Sequence, residues 1–274
     1  MGGELFLIAT PIGNLGDITL RALECLKSVD MIACEDTRTT GVLLAHYGIT
    51  TRTVATHSHN EAASAAGLLT HLRAGRRIAL VSDAGTPLLS DPGARLVAAA
   101  IAAGIRITPL PGASALLAAL TIAGLPTDAF YYGGFLPTKA KAQQALLESL
   151  RALPCTLVFY EAPHRLVETL TLLRGQLGDR PAAVARELTK LYEECPRGAL
   201  SELIAHFTST QPRGECVVLV GGNDANTAMD DAALDAALRD ALAQGSVKQA
   251  VEEVTPLSGR TKREVYQRAL ALKP

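Results

Sequence analysis

Three loops rich in glycine and proline, at residues 10–16, 83–93 and 110–114, each follow a predicted buried strand. Their small residues allow the backbone to approach a ligand closely, and Asp83 offers a carboxylate for a ribose hydroxyl or an ammonium group. Ligands of parallel sheets bind beyond the carboxyl ends of the strands. One such loop alone is more often only a tight turn, but three at one sheet edge predict a ligand pocket.

These loops match neither of two common phosphate-binding patterns. The sequence contains no GxxxxGK(S/T), which excludes a P-loop, and the GNLG at 13–16 does not complete a GxGxxG. The predicted pocket is therefore neither a P-loop nor a standard dinucleotide site.

Charged side chains follow three further predicted strands. After the second strand the sequence reads EDTRTT at 35–40, which is either a polar helix start capped by Asp36 or Thr37 or a part of the site. In the second half, FYEAPHR at 159–165 and RELTK at 186–190 end two strands. Their charges either line a cleft between two domains or pair with one another.

A metal site is the alternative raised by His57 and His59, which lie in the same half of the chain as Asp83 and Asp91. These four residues are compatible with a metal-dependent hydrolase. However, no HExxH or comparable ligand spacing is present, and histidines beside a helix cap usually cap or pack. We therefore expect no metal.

Alternating strand and helix patterns in residues 1–124 predict a largely parallel sheet covered on both faces. Strands are expected over 5–9, 31–34, 52–56, 77–82 and 105–108. Helices are expected from Asp17 as an N-cap, over 37–47, from a capping box at 58–61 to 74, from Asp91 and Pro92 to 104, and over 113–123.

The pattern changes around 124–127, where we place a domain boundary. Residues 127–222 predict a second α/β domain with a mixed sheet, with strands at 130–135, 156–160, 183–187, 191–195 and 215–220. Residues 229–274 predict three short helices, which form either a helix-turn-helix extension or a helical cap on the second domain.

Composition limits the classes of function. The net charge is −1, so RNA binding would need local basic patches, and 4% aromatic residues with no tryptophan argue against stacking platforms of the RRM or OB kind. Five scattered cysteines, no long apolar run and no basic leader predict a cytoplasmic protein with reduced thiols and no membrane span. Possible patch residues are Arg38, Arg52, Arg73, Arg76, Arg77, Lys139, Lys141 and the basic C-terminal helices.

Five motifs together carry a resemblance to a known family. They are ATPIGNLGDIT at 9–19, EDTR at 35–38, SDAGTPLLSDPG at 82–93, PGAS at 111–114 and FYEAPHR at 159–165. In order and spacing they resemble the tetrapyrrole methylase superfamily, and within it the bacterial small-subunit rRNA (cytidine-2′-O)-methyltransferases. The resemblance extends from residue 5 to about 220, and the C-terminal stretch is similar to that family's helix-turn-helix extension.

The resemblance implies two α/β domains with S-adenosylmethionine in the cleft between them, usually in a homodimer. It also implies methylation of one cytidine ribose in the decoding region of 16S rRNA, within the small ribosomal subunit. By position, the residues implied to bind the cofactor are Pro11, Ile12, Asp83, Ala84, Gly85, Thr86, Ser114, Ala115, Tyr160 and Arg186 or Glu187, of which we choose Glu187.

A ribose hydroxyl is a poor nucleophile, so a base or a nearby positive charge must assist its ionisation. The candidate bases are Asp36, Glu35, Glu161 and Glu187, the candidate cations are Arg38, Arg165 and Lys190, and His164 is a further choice. We place Arg38 and Glu161 first, with Asp36 next. The alternatives are a corrin or porphyrin methylase and a nucleotide- or RNA-binding module without turnover.

Overall fold

The computed structural model describes residues 2–56, 61–210, 212–223, 229 and 231–272. The chain divides into two compact units. The first unit comprises Met1–Ala118 together with Leu188–Leu191, and the second comprises Ala119–Glu187 and Tyr192–Pro274. Within these bounds, none of the helices that the structure describes is both long and apolar enough to cross a membrane.

The first unit contains a five-stranded sheet in which every paired strand is parallel. Its strands are β1 (Glu4–Ile8), β2 (Met31–Cys34), β3 (Thr53–Ala55), β4 (Arg77–Val81) and β5 (Arg106–Leu110), in the order β3-β2-β4-β1-β5. The helices are α1 (Leu20–Ser28), α2 (Thr37–His46), α3 (Glu61–Arg73) and α4 (Ala94–Ala102), and α5 (Ala115–Ile122) follows β5. The predicted parallel α/β arrangement is confirmed.

Both faces of this sheet are buried, which explains why its strands are apolar without alternation. On one face, Phe6, Ile8 and Ile32 pack with α1 and α2 residues such as Leu26 and Leu44. On the other face, the core of α3 and α4 side chains packs against Leu5, Met31, Ala33, Ile78 and Leu80. Helices on both faces hold the strand ends, and therefore the loops that follow them, in fixed positions.

Two helices begin later than the sequence predicted. Asp17 is not an N-cap, because it ends a short 3-10 helix (Leu15–Asp17), and the Thr19 hydroxyl instead accepts from the Ala22 amide at 3.1 Å to begin α1. Asp91 and Pro92 do not begin α4, whose N-cap is Gly93 at φ +127°. A β-carbon at residue 93 would lie 2.8 Å from Leu80 Cδ2, so the chain passes close to the sheet there, and the helix begins only after the non-helical backbone of this glycine. The predicted capping box at 58–61 falls largely outside the described residues.

The second unit contains a mixed sheet, as predicted. Its strands are β6 (Phe130–Phe135), β7 (Thr156–Glu161), β8 (Pro181–Arg186), β9 (Arg197–Ala199) and β10 (Cys216–Val220), in the order β6-β7-β10-β8-β9. Only the β6–β7 pairing is parallel among these neighbours. Helices α6 (Ala140–Leu150), α7 (Leu166–Leu177) and α8 (Leu200–Ser209) contribute to one core centred on Phe159 and Phe207.

The predicted strand at 191–195 is wrong. Only Glu194 pairs there, in an isolated bridge with Arg186, and the strand β9 comes later. Leu191 and Tyr192 are exposed, so this apolar pair lies on the surface and does not alternate into a core. The preceding turn contains Glu187 at φ +51° and Thr189 at φ +67°, and this left-handed backbone cannot continue a strand.

The C-terminal helices α9 (Asp231–Gln244), α10 (Val247–Ser258) and α11 (Lys262–Leu272) share their own small core. Two arginines of this basic stretch, which the sequence suggested as an RNA-binding patch, form ion pairs among the three helices. Arg268 Nε lies 2.5 Å from Asp235 Oδ1, and Arg260 Nη2 lies 2.8 Å from Asp231 Oδ1. These arginines therefore join the helices to one another, whereas Lys262 and Arg263 remain exposed at the start of α11.

Arg180 joins three elements of the second unit. Its side chain is only 8% exposed, and it donates to the carbonyl oxygens of Leu177 at 2.9 Å, Arg151 at 2.6 Å and Gly221 at 3.4 Å. These carbonyls stand at the ends of α7, α6 and β10. Burial, together with the positive charge of the neighbouring Arg151, lowers the pKa of Arg180 to about 10. The guanidinium therefore joins the ends of these three elements through its hydrogen bonds.

Candidate functional site

The loops after β1 and β4 are joined by their backbones at the carboxyl end of the first sheet. The Thr10 amide donates to the Gly85 carbonyl at 2.9 Å, and the Gly85 amide donates to the Thr10 carbonyl at 3.0 Å. The Thr10 hydroxyl donates to Ser82 O, and the Ser82 hydroxyl donates to Gly85 O. Thr10 and Ser82 were not among the predicted site residues, although both lie within the motifs at 9–19 and 82–93.

The loop after β5 completes the group. The Thr86 hydroxyl donates to the Ala113 carbonyl at 3.2 Å. A β-carbon at Gly85, where φ is +83°, would lie 3.3 Å from Ile12 Cγ2 and 3.8 Å from Ala113 O. Gly112 approaches Ala9 just as closely, since its β-carbon would lie 3.0 Å from Ala9 Cβ. The prediction that three loops meet at one sheet edge is therefore confirmed within the first unit.

The remaining first-unit residues predicted to bind the cofactor border these contacts. Pro11 is buried beside the half-buried Ile12, and Ala84 is exposed between Asp83 and Gly85. Ser114 is buried and its hydroxyl accepts from the Leu117 amide at 3.4 Å, in the first turn of α5, where Ala115 is the first residue. These residues shape the sheet edge mainly through the positions of their backbones.

Asp83 connects this edge to the polar cluster after β2. One of its carboxylate oxygens accepts from the Asp36 amide at 3.0 Å. Asp36 is the N-cap of α2, and it accepts from the Arg38 amide at 2.8 Å and from Arg38 Nη2 at 2.6 Å. The Arg38 side chain is 91% exposed. Asp36 thus fixes the direction of the Arg38 side chain, while the guanidinium stays open to solvent.

The hydrogen bonds from Arg38 lower the pKa of Asp36 from 3.8 to about 2. A lowered pKa means that the ion pair contributes above the ordinary pKa and is lost as the pH falls through about 2. We expect Arg38→Ala to return the carboxyl titration midpoint of Asp36 towards 3.8, measured by carbon-13 NMR. Asp30, whose pKa is lowered by the Arg77 amide and Arg76, should keep its own midpoint. Identical Asp36 midpoints in both proteins would contradict this cause.

Strained backbone accompanies the same loop. Leu88 at φ +75° and Ser90 at φ +68° follow the Asp83–Thr86 turn, in a region that residues with side chains rarely adopt. Such conformations cost on the order of 1–3 kcal/mol each and cluster at binding and active sites. The loop after β4 is therefore shaped at an energetic cost, which supports its selection as a binding loop.

Tyr160, Glu161, Arg186 and Glu187 lie at one edge of the second unit's sheet. Because β10 is antiparallel to both β7 and β8, the carboxyl ends of those two strands share that edge. Arg186 forms an ion pair with Glu194, and the Glu187 side chain occupies the space over Gly214. The structure thus brings these residues together as a second group.

Glu161 is almost completely buried, with 1% of its surface exposed. Its carboxylate accepts from the Ala162 amide at 2.8 Å and from the Thr169 hydroxyl at 2.6 Å, and Arg165 Nη1 lies 3.7 Å away. These contacts fix the turn after β7 and the start of α7. Glu161 as a catalytic base stays a prediction, and its contacts favour a role in positioning Arg165.

Lys190 packs against the first loop. The turn 188–191 belongs to the first unit, and a β-carbon at Gly13 would lie 2.7 Å from both Cγ and Cε of Lys190. The alkyl chain therefore covers Gly13, which explains why a residue without a side chain is needed there.

Some of the other predicted patch residues have intramolecular partners. Arg76 Nη1 lies 2.9 Å from Asp30 Oδ1, and the Arg77 guanidinium lies 5.0 Å from the centre of the Phe6 ring. Arg52, Arg73, Lys139 and Lys141 are exposed. Arg76 therefore shares its charge with Asp30, whereas Arg77 and the four other residues keep their charge at the surface.

The metal alternative gains no geometric support. In the part of the chain that the structure describes, no three His, Cys, Asp or Glu side chains come together in a way that could hold a metal ion. His57 and His59 lie outside the described residues.

Comparison with known proteins identifies the family. The ribosomal RNA small subunit methyltransferase I of Mesorhizobium japonicum is 49% identical over 271 residues, 98% of this chain and 92% of that protein. The chain belongs to the ribosomal RNA small subunit methyltransferase I family. The Escherichia coli O157:H7 member is 46% identical, over 98% of this chain and 95% of its own length.

Two family models match consecutive parts of this methyltransferase I chain. Residues 4–204 match the tetrapyrrole (corrin/porphyrin) methylases, and residues 228–273 match the RsmI C-terminal HTH domain. The resemblance predicted from the five motifs and the C-terminal stretch is confirmed. The domain boundaries at 124–127 and 229 stay predictions.

Solved structures share the fold of this methyltransferase I family member. Diphthine synthase superimposes with a TM-score of 0.66 and 15% identity, covering 81% of this chain and 90% of that one. Uroporphyrin-III C-methyltransferase of Thermus thermophilus, complexed with S-adenosylhomocysteine, gives 0.56 and 22%, covering 80% and 97%. At these identities the likeness establishes the fold alone, and the fold is the predicted one.

Proposed function

We propose that this protein transfers the methyl group of S-adenosylmethionine to the ribose 2′-oxygen of a cytidine in the decoding region of 16S rRNA. We propose further that it acts on the small ribosomal subunit in the cytoplasm, as a homodimer. The observation that carries the proposal is 49% identity over 98% of the chain to a protein named for methylating small-subunit rRNA. The cytidine, the 2′-oxygen and the decoding region rest on the motif resemblance.

The first-unit loops fit S-adenosylmethionine. Gly85 and Gly112 let the three loops pack closely on one another, since a β-carbon at either position would crowd Ile12 or Ala9. One oxygen of Asp83 is bound to the Asp36 amide, and the other is available for ribose hydroxyls or the cofactor's ammonium group. The proposed holders are Pro11, Ile12, Asp83, Ala84, Gly85, Thr86, Ser114 and Ala115, with Tyr160 and Glu187 from the second unit.

The cofactor, when bound, supplies a methyl group on a positively charged sulfur. Displacement at that carbon is in line, so the protein's task is to hold two reactants at the correct distance and angle. The paired loop backbones around Thr10 and Gly85 suit this task because they are fixed to each other by two hydrogen bonds.

We propose Arg38 as the cation that stabilises the oxygen as it loses its proton. Asp36 is a poor base, since its pKa is about 2, but it orients Arg38 through the guanidinium contacts at 2.6 Å and 3.1 Å. The remaining candidate bases are Glu161, Glu35 and Glu187. The assignment of the proton acceptor among them is a proposal that the kinetics of single variants will decide.

The test is transfer of a labelled methyl group from S-adenosylmethionine to 30S subunits that lack the modification, with mass mapping of the product. We expect label on one cytidine ribose in the decoding region. Naked 16S rRNA and a tetrapyrrole precursor serve as parallel substrates. If the protein bound the cofactor but labelled only the tetrapyrrole, the proposed RNA substrate would be wrong. If it did not bind the cofactor, the proposed reaction would be wrong.

A further inference from the structure

The edge strand of the second unit contains a β-bulge that changes where its side chains point. Strand β6 pairs with β7 in regular register up to Tyr132 and Val158, then shifts so that Gly134 faces Phe159 and Phe135 faces Tyr160. In an unbroken strand, residues three apart lie on opposite faces. The extra residue of the bulge places Tyr132 and Phe135 on the same face.

Both rings use this placement to contact one tyrosine. The ring centres of Tyr132 and Tyr160 are 5.2 Å apart, and those of Phe135 and Tyr160 are 5.7 Å apart. The interplanar angles of 71° and 69° are those of favourable edge-to-face pairs. Tyr160 therefore contacts both aromatic rings of the neighbouring strand.

The bulge itself is fixed by the core. A β-carbon at Gly133 would lie 2.5 Å from Cε1 of Phe159, a ring that is completely buried. Only glycine fits at that point, and Gly134 follows at φ +61°. Bulges are common beside binding sites, where they redirect a side chain. The arrangement of three aromatic rings is thus built into the packing of the sheet.

Phe135 is half exposed although its ring packs against Tyr160. Its exposed fraction is 50%, and it ends β6 at the edge where Glu161 holds Arg165. A half-exposed ring that aromatic neighbours hold in place, at the same sheet edge as an arginine, suits a planar ligand attached to phosphate. Nucleobases stack on such rings regardless of their identity, and the neighbouring phosphates favour arginine.

We propose that Phe135 stacks on a nucleobase of the RNA substrate, with Tyr160 and Tyr132 as its support. This inference rests on the proposed function and adds a residue that determines substrate affinity. The adenine of the cofactor offers the same chemistry, but small ligands are usually enclosed, with 70–90% of their surface buried. A half-exposed ring on an edge strand is open to a large ligand, and we therefore assign it to RNA.

The test compares Phe135→Leu with Phe130→Leu. Phe130 is a matched control because it begins the same strand, is similarly exposed at 43%, and lies at the opposite sheet edge. We expect Phe135→Leu to raise KM for 30S subunits, and their Kd by filter binding, about tenfold with little change in kcat. Phe135→Tyr keeps an aromatic ring and should bind 30S subunits as tightly as the protein without substitutions. Phe130→Leu should also show the same KM and Kd as that protein. Far-UV circular dichroism verifies that all variants fold.

Several outcomes separate this proposal from the proposed function. Equal 30S affinity in the two leucine variants would overturn stacking while leaving methyl transfer intact. A weaker Kd for S-adenosylhomocysteine in Phe135→Leu, with 30S binding unchanged, would assign the ring to the cofactor and overturn the proposal. Loss of 30S binding specific to Phe135→Leu would support stacking even if the unmodified protein transferred no methyl group to RNA.

Discussion

Replacing Arg38 with alanine is expected to slow single-turnover methyl transfer about a hundredfold while leaving the Kd for S-adenosylmethionine unchanged. Removing one group that stabilises developing negative charge typically costs a factor of roughly 10²–10³. Arg38 is suited to that role because Asp36 fixes its orientation and the side chain is otherwise exposed. Rapid-quench assays with labelled cofactor, at saturating 30S subunits, measure the rate of the chemical step.

Three companion variants separate charge, orientation and general surface effects. Arg38→Lys keeps a positive charge and should retain part of the rate. Asp36→Asn leaves the arginine but removes its ion pair, so an intermediate loss of about tenfold is expected. Arg21→Ala removes an exposed arginine from the first turn of α1 and should have no effect. Equal rates in Arg38→Ala and Arg21→Ala would exclude Arg38 from the reaction.

Replacing Arg180 with alanine is expected to lower the free energy of unfolding by about 3–5 kcal/mol. The change leaves the carbonyls of Leu177, Arg151 and Gly221 without their donor, and each buried unsatisfied group costs about 1–3 kcal/mol. For a protein of this size, each kcal/mol lowers Tm by about 2–4 °C, so a fall of about 10 °C follows. Because the chain has no tryptophan, far-UV circular dichroism is the suitable probe.

Arg174→Ala is the matched control for Arg180. Arg174 is exposed on α7 and lies 3.6 Å from Asp179, a surface ion pair worth about 0–1 kcal/mol. Its loss should move Tm by only a few degrees. If Arg180→Ala were as stable as Arg174→Ala, the three hydrogen bonds would not be the reason for its burial.

The positions of the site loops could be predicted because they depend on local signals. Continuous apolar strands followed by glycine and proline give both a parallel sheet and the loops at its carboxyl edge. The strand order β3-β2-β4-β1-β5 depends on contacts distant in sequence. The start of α1 was missed because Thr19, two residues after the predicted cap Asp17, accepts from the Ala22 amide, while Asp17 belongs to a short 3-10 helix.

The aromatic cluster shows why composition is a weak guide to a binding surface. Aromatic residues make up only 4% of the chain, which argued against a stacking platform. The bulge at Gly133 nevertheless places two of them beside Tyr160, and it depends on Phe159 of a neighbouring strand. The same holds for charge, since the basic C-terminal helices were counted toward an RNA-binding patch, whereas Arg260 and Arg268 in them pair with Asp231 and Asp235.

The four residues Leu188–Leu191, which belong to the first unit, affect the order in which the protein can be completed during synthesis. Strands β6, β7 and β8 all precede them in the chain. A nascent chain that has emerged from the ribosome as far as Ala118 contains all strands of its first sheet. It still lacks Lys190, whose alkyl chain covers Gly13. The first loop therefore reaches its final packing only after most of the second sheet has been translated, which links maturation of the two halves in time.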